Sequence, residues 1–198
     1  MALKPVDLIS RHRSEWDRAV THPFLEGVRD GSLPIQAFDL WLEQDYLFVS
    51  DLLGFQARLL ALAPRKAQHP IASGLVGLVS ELDWFEAQAQ KRELRLQQAP
   101  TPITESYRSA LDDLLGKGFE PAMTALWALE RIYLEAWMGA SPGTPEYAPY
   151  IEHWTQVEFG QYVQDLEAHA GGGHGAESAF LEICKLEHDF WEMAWRAR

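Results

Sequence analysis

Three carboxylates stand at positions where a helical chain normally hides apolar side chains. On a helical wheel, the segment Pro34 to Ala63 puts Phe38, Trp41, Leu42, Val49, Leu52 and Leu59 in one stripe, with Asp45 at its centre. Asp39, Glu43 and Arg58 fall outside that stripe, and Gln56 shares it. Further along, Leu126, Leu129, Tyr133 and Trp137 form a second stripe that includes Glu130, while Arg131 and Glu135 turn towards the opposite side. The last stripe is Phe180, Ile183, Cys184, Trp191, Ala194 and Trp195, with Glu187 in its middle and Glu182, Lys185, Asp189 and Glu192 opposite. An isolated buried carboxylate takes up a proton or finds a partner, so three inward acids ask for an explanation. Separate satisfaction by Tyr, Trp or Arg groups, or a rotated wheel, would explain any one of them. A shared polar pocket explains all three together. Its expected walls are aromatic, from Phe48 or Trp41, Tyr133, Trp137 and Trp191, which suits a flat heteroaromatic ligand whose nitrogens are held by carboxylates.

Weaker candidates surround this trio. Tyr107 shares an apolar stripe with Ile103, Ala110, Leu111 and Leu114, and either belongs to the core or lines the site. Glu81 flanks the stripe of Leu75, Leu78, Leu82 and Phe85, where it borders the pocket or faces solvent. Cys184, the single cysteine, lies three residues before Glu187 with no histidine one turn away to activate it, so it reads as a buried core thiol. His22, before a proline, reads as structural. Di-metal carboxylate bundles use paired Glu-x-x-His elements, and the nearest pattern here is the lone Asp165…His169 spacing. Neither a metal nor a cofactor is expected.

These residues need helices to position them. Periodicity predicts helices over Val6 to Val20, Pro34 to Ala63, Ile71 to Leu96, Ile103 to Leu115, Glu120 to Met138, Tyr147 to Ala170 and Glu177 to Trp195. Turn-forming clusters separate them, among them His22-Pro23, Asp30 to Pro34, Pro100-Thr101-Pro102, Gly116-Lys117-Gly118 and Ser141-Pro142-Gly143. The Gly171 to Gly175 stretch reads as a flexible connection, because no Lys-Ser/Thr pair follows it as a phosphate cradle requires. With no alternating stretch to argue for a sheet, the expectation is an all-α bundle of about seven helices, spanning residues 1–198 as one domain.

Composition bounds the chemistry. The 198 residues carry 29 acidic and 17 basic side chains, a formal charge of −12, which repels phosphate backbones and anionic lipid. Neither nucleic acid nor membrane is an expected partner. No signal-peptide core or long uncharged apolar run is visible, so a cytoplasmic location is expected, and an aromatic-rich bundle of this kind is expected as a homodimer or homotetramer.

The segment His22-Pro23-Phe24-Leu25-Glu26-Gly27, followed by Asp30-Gly31-Ser32-Leu33-Pro34, Phe38 and Glu43-Gln44-Asp45-Tyr46, resembles the opening signature of the TenA (thiaminase II-like) family. Trp127 to Glu135 resembles the family's central helix, and Leu186 to Ala194 its E-x-x-FW-x-MA ending. This resemblance implies the haem oxygenase-like helical bundle. In the cysteine-containing branch the nucleophile lies one turn before the residue matching Tyr133. Leu129 stands there, with Glu130 beside it, as in the glutamate-containing branch. The resemblance assigns pyrimidine binding to Asp45, a catalytic acid or base to Glu187, supporting hydroxyls to Tyr133 and Tyr107, and a stacking wall to Trp154. The function implied is thiamin salvage, by hydrolysis of free or N-formyl 4-amino-5-aminomethyl-2-methylpyrimidine towards hydroxymethylpyrimidine. Glu130 and Glu187 are then the catalytic pair. A non-catalytic pyrimidine-binding protein, a transcription-associated protein, and a metal-dependent or cofactorless oxidase on the same fold are the alternatives.

Overall fold

A computed structural model describes residues 4–197, and among them the regular structure is entirely helical. The ten α-helices are α1 (Pro5–Arg11), α2 (Arg13–Val20), α3 (Pro23–Asp30), α4 (Ile35–Leu62), α5 (Gln68–Lys91), α6 (Pro102–Gly116), α7 (Phe119–Ala140), α8 (Ala148–Trp154), α9 (Val157–Glu167) and α10 (Ala176–Arg196). A short 3₁₀ turn, Arg65–Ala67, leads into α5.

The organising element is α7, buried on every side from Pro121 to Glu130. A helix apolar all round can only sit in the middle of a bundle, and α7 is in contact with α2, α3, α4, α6, α8, α9 and α10. Its most extensive neighbour is α10, while α4 pairs chiefly with α5. The core these helices enclose is dense in aromatic rings around the buried Trp41, which meets Trp137 at 5.2 Å, Trp154 at 5.6 Å and Phe38 at 5.1 Å between centroids. Ring pairs of this kind add about 0.5–1.5 kcal/mol each beyond burial, and they leave little freedom in how the helices seat.

The long elements fall where periodicity places them, and the differences have local causes. The predicted Val6–Val20 helix breaks at His12, whose backbone leaves the helical region (φ −116°, ψ 45°). His22-Pro23 proves to be a helix start as well as a break. The His22 ring nitrogen Nδ1 accepts the Phe24 amide at 3.1 Å and Pro23 occupies the first turn, so the eight residues of α3 begin there. Gly31 ends α3 in the left-handed conformation (φ 79°) that glycine adopts without strain. The predicted Tyr147–Ala170 helix is interrupted at Thr155-Gln156, where Gln156 is extended, and this bend separates α8 from α9. α5 starts three residues earlier than predicted and stops at Lys91, with Glu93 left-handed (φ 58°) just beyond.

Two buried glutamines hold the frame around the site. Gln44 Oε1 accepts from the Thr101 amide at 2.8 Å and the Thr104 hydroxyl at 2.7 Å, anchoring the start of α6 to α4. Gln56 Nε2 donates to the Ile71 carbonyl at 2.8 Å and fixes α5 against α4.

Candidate active site

The eight predicted side chains come from six helices of the bundle. α4 supplies Asp45 and, one turn later, Phe48; α5 Glu81; α6 Tyr107; α7 Glu130 and Tyr133; α8 Trp154; α10 Glu187. All three inward acids are buried: Asp45 is 0 % exposed, Glu187 1 % and Glu130 7 %. Three acids receive an aromatic donor from another helix. The Tyr133 hydroxyl donates to Asp45 Oδ1 at 2.5 Å, the Tyr107 hydroxyl to Glu187 Oε1 at 2.5 Å, and the Trp154 indole N–H to Glu81 Oε1 at 2.7 Å. Glu130 has no such donor, and among the described residues Asp45 Oδ2 has no hydrogen-bond partner. A buried carboxyl oxygen without a partner is expensive, and the buried indole nitrogens of Trp41, Trp127 and Trp137 share that state.

The electrostatics follow from burial. Loss of water pushes Glu187 up to about 8 and Glu81 up to about 7, against the opposing hydrogen bonds from Tyr107 and Trp154. Asp45 and Glu130 are raised well above the ordinary carboxylate range, first by burial and then by repulsion from Glu81 and Glu187. Tyr107 and Tyr133 are raised as well, by burial and by the acids they face, so both hydroxyls stay protonated and donate. At neutral pH the interior therefore holds carboxylic acids that can give protons as well as accept them.

The aromatic walls are in place around these groups. Tyr133 stacks on Trp191 at 5.5 Å and meets Trp154 edge-on at 5.7 Å, while Trp154 itself stacks on Trp137 at 4.8 Å. Phe48 packs against Tyr107 at 4.5 Å.

Open space lies to one side of this group. A cleft of about 680 Å³ runs between α5 and α9, and Glu81, Glu130 and Trp154 line it together with Tyr162 and His153. Asp45, Phe48, Tyr107, Tyr133 and Glu187 sit in the interior and do not line it. The expectation of one cavity faced by three inward acids is thus met only by Glu130. Helical phase reports which side of a helix is inside, and is silent on where the inside leaves room.

The comparisons with known proteins bear on this arrangement. The model of the TENA/THI-4/PQQC family matches residues 9–197. This chain belongs to that family. A probable bifunctional TENA-E protein of Glycine max is 29 % identical, aligned over 94 % of this chain and 90 % of the relative. An aminopyrimidine aminohydrolase of Halalkalibacterium halodurans is 27 % identical over 92 % of this chain and 91 % of its own. Among solved structures, a TenA homologue from Pyrococcus furiosus superposes with a TM-score of 0.89 at 30 % identity, covering 96 % of this chain and 98 % of that one.

As a TENA/THI-4/PQQC family member, this chain carries no cysteine on its central helix, where Leu129 precedes Tyr133 by one turn. Cys184 is buried on α10, and burial followed by repulsion from Glu187 pushes its thiol up to about 12, far from a thiolate at neutral pH. His22 is the α3 cap. Asp165 lies at the cleft edge and His169 beyond the end of α9; among the described residues no three His, Cys, Asp or Glu side chains are grouped to hold a metal ion. Sequence reasoning missed Tyr162 and His153. Tyr162 donates to Gln56 Oε1 at 3.4 Å, and His153 stacks on Trp84 at 3.9 Å with its ring pushed down to about 4 by burial. Both lie on short helices with little periodic signal, although an aromatic residue flanking the Thr155-Gln156 interruption was available as a hint.

Proposed function

We propose that the protein is an aminopyrimidine hydrolase of thiamin salvage, acting on free or N-formyl 4-amino-5-aminomethyl-2-methylpyrimidine. The observation that carries this reading is Asp45. One of its oxygens is fixed by Tyr133 and the other is buried without a partner, on a carboxyl that burial pushes towards its protonated form. Such a group pairs with the two adjacent nitrogens of a 4-aminopyrimidine: Oδ2–H donates to the ring nitrogen while Oδ1 also accepts from the amino group. The rings of Tyr133, Trp154 and Trp191 supply flat apolar faces beside it. The relatives named aminopyrimidine aminohydrolase support the same substrate class.

Hydrolysis then needs an acid and a base. Glu187, protonated at neutral pH and oriented by Tyr107, gives its proton to the departing amine nitrogen. Glu130, on the cleft wall where water reaches it, takes the proton from the attacking water in its ionised form. With the free amine, the water oxygen bonds to the methylene carbon and ammonia leaves. With the formyl amide, water attacks the formyl carbon and formate leaves. Purified protein supplied with either compound is expected to release ammonia or formate, and Glu187→Gln to abolish release. Tight binding of both compounds with no turnover would refute the catalytic assignment.

A further inference from the structure

We propose that the cleft between α5 and α9 is a second subsite for a positively charged substituent on the pyrimidine's exocyclic amine, making N-aminoacyl pyrimidine amides substrates alongside the formyl amide. The inference rests on the aminopyrimidine reading and extends it to the other end of the substrate. A formyl group adds only a carbon and an oxygen to the amine, whereas the cleft encloses about 680 Å³, within the range of pockets that hold a whole small molecule. Its lining is one-signed. Glu81, Glu130, Glu158 and Asp165 face it, and no Lys or Arg does among the described residues. Of the two histidines that line it, His153 is held neutral by burial.

A second, independent feature points to a ligand rather than a solvated acidic face. The Glu130 side chain is more than nine-tenths buried, lines the cleft, and has no hydrogen-bond donor among the described residues. A largely buried carboxyl with no protein donor is poorly satisfied, and an ammonium completes it with both charge and N–H donors. A substituent bearing an anion would meet the exposed acids Glu158 and Asp165 with no Lys or Arg lining the cleft among the described residues, a repulsive element as selective as any attractive one. The cleft borders the proposed reacting groups through Glu130, which lines its wall and is assigned the activation of water. In the step itself the water oxygen bonds to the acyl carbon and the amide C–N bond breaks. The amine nitrogen takes a proton, leaving aminomethylpyrimidine and a free amino acid.

The test compares N-glycyl, N-acetyl and N-succinyl amides of aminomethylpyrimidine, cationic, neutral and anionic in turn, with the free amine and formyl amide assayed in parallel. The glycyl amide is expected to exceed the succinyl amide in kcat/KM by about tenfold or more at low ionic strength, the ratio shrinking as salt rises. Replacing Glu158→Gln together with Asp165→Asn should move the ratio towards one. Turnover of the formyl amide without turnover of the glycyl amide, or equal rates for glycyl and succinyl amides, overturns the subsite and leaves the aminopyrimidine reading standing. If neither the free amine nor the formyl amide turns over, the failure lies in that reading. Calorimetry with the three amides then decides the subsite, a glycyl preference supporting it and equal affinities overturning it.

Discussion

The four acids differ because their surroundings differ. Asp45, Glu81 and Glu187 are each tied to one aromatic donor from another helix, and Glu130 to none. Removing the Asp45 donor with Tyr133→Phe leaves a buried oxygen bare, and is expected to weaken pyrimidine binding about tenfold, near the upper end of the roughly 0.5–1.5 kcal/mol of a neutral hydrogen bond. On the proposed function KM should carry more of this loss than kcat, because the hydroxyl would orient the binding group without touching the reacting carbon. Glu187→Gln keeps an acceptor for Tyr107 and removes the proton, so kcat should fall by about 10²–10⁴. The same substitution has a signature in stability. The folded state holds the Glu187 proton up to about 8, whereas the unfolded chain releases it near the ordinary 4.5. Unfolding therefore loses a proton in that interval, and wild-type stability declines as pH rises from about 4.5 to about 8. The variant lacks the Glu187 share of that decline, so its advantage in Tm, worth on the order of a few kcal/mol at the alkaline end, should be absent at acid pH and grow through this window.

Among elements, the seam between α4, α5 and α9 decides where the cleft opens. Gly74 lies so close to the Gln56 amide and the Tyr162 hydroxyl that any Cβ there would collide with both, while Gly77, one turn on, has nothing within 4 Å of the equivalent point. Gly74→Ala is expected to cost about 1–3 kcal/mol by overpacking, read from denaturant midpoints. Gly77→Ala should be neutral or stabilising by up to about 0.5–1 kcal/mol through helix propensity. Equal effects at the two sites would mean the seam is not where it is described. α3 illustrates what a helix-scale reading overlooks: eight residues give barely two turns, and its start depends on the buried His22 ring serving as both cap and partner of Glu192 at 3.1 Å.

Taken whole, the molecule puts its protonated acids inside and its charge outside, with a formal net charge of −12. Arginines at the surface pair locally, as Arg58 does with Asp112 and Arg108 with Asp51, so no extended basic face is assembled among the described residues. The protein is expected to pass unretained over immobilised double-stranded DNA at about 0.15 M salt, where binding to phosphate depends on released counterions. Retention under those conditions would revive a regulatory role. None of the described helices is long and apolar enough to cross a membrane.

The amino-acid sequence by itself determined the long helices, the inward phase of Asp45, Glu130 and Glu187, the burial of Cys184 and the family resemblance, because each rests on spacing along one helix or on contiguous residues. Tertiary structure alone decided which hydroxyl serves which acid, that Glu130 goes without a donor, and that the open space lies beside α5 and α9 rather than over Asp45. Those outcomes depend on distances between residues 80 or more apart in sequence, as for Tyr107 with Glu187 and Tyr133 with Asp45. Helical periodicity carries no information about such distances; they are set when bulky rings such as Trp41 and Trp154, and the close approach at Gly74, fix how far each pair of helices can close.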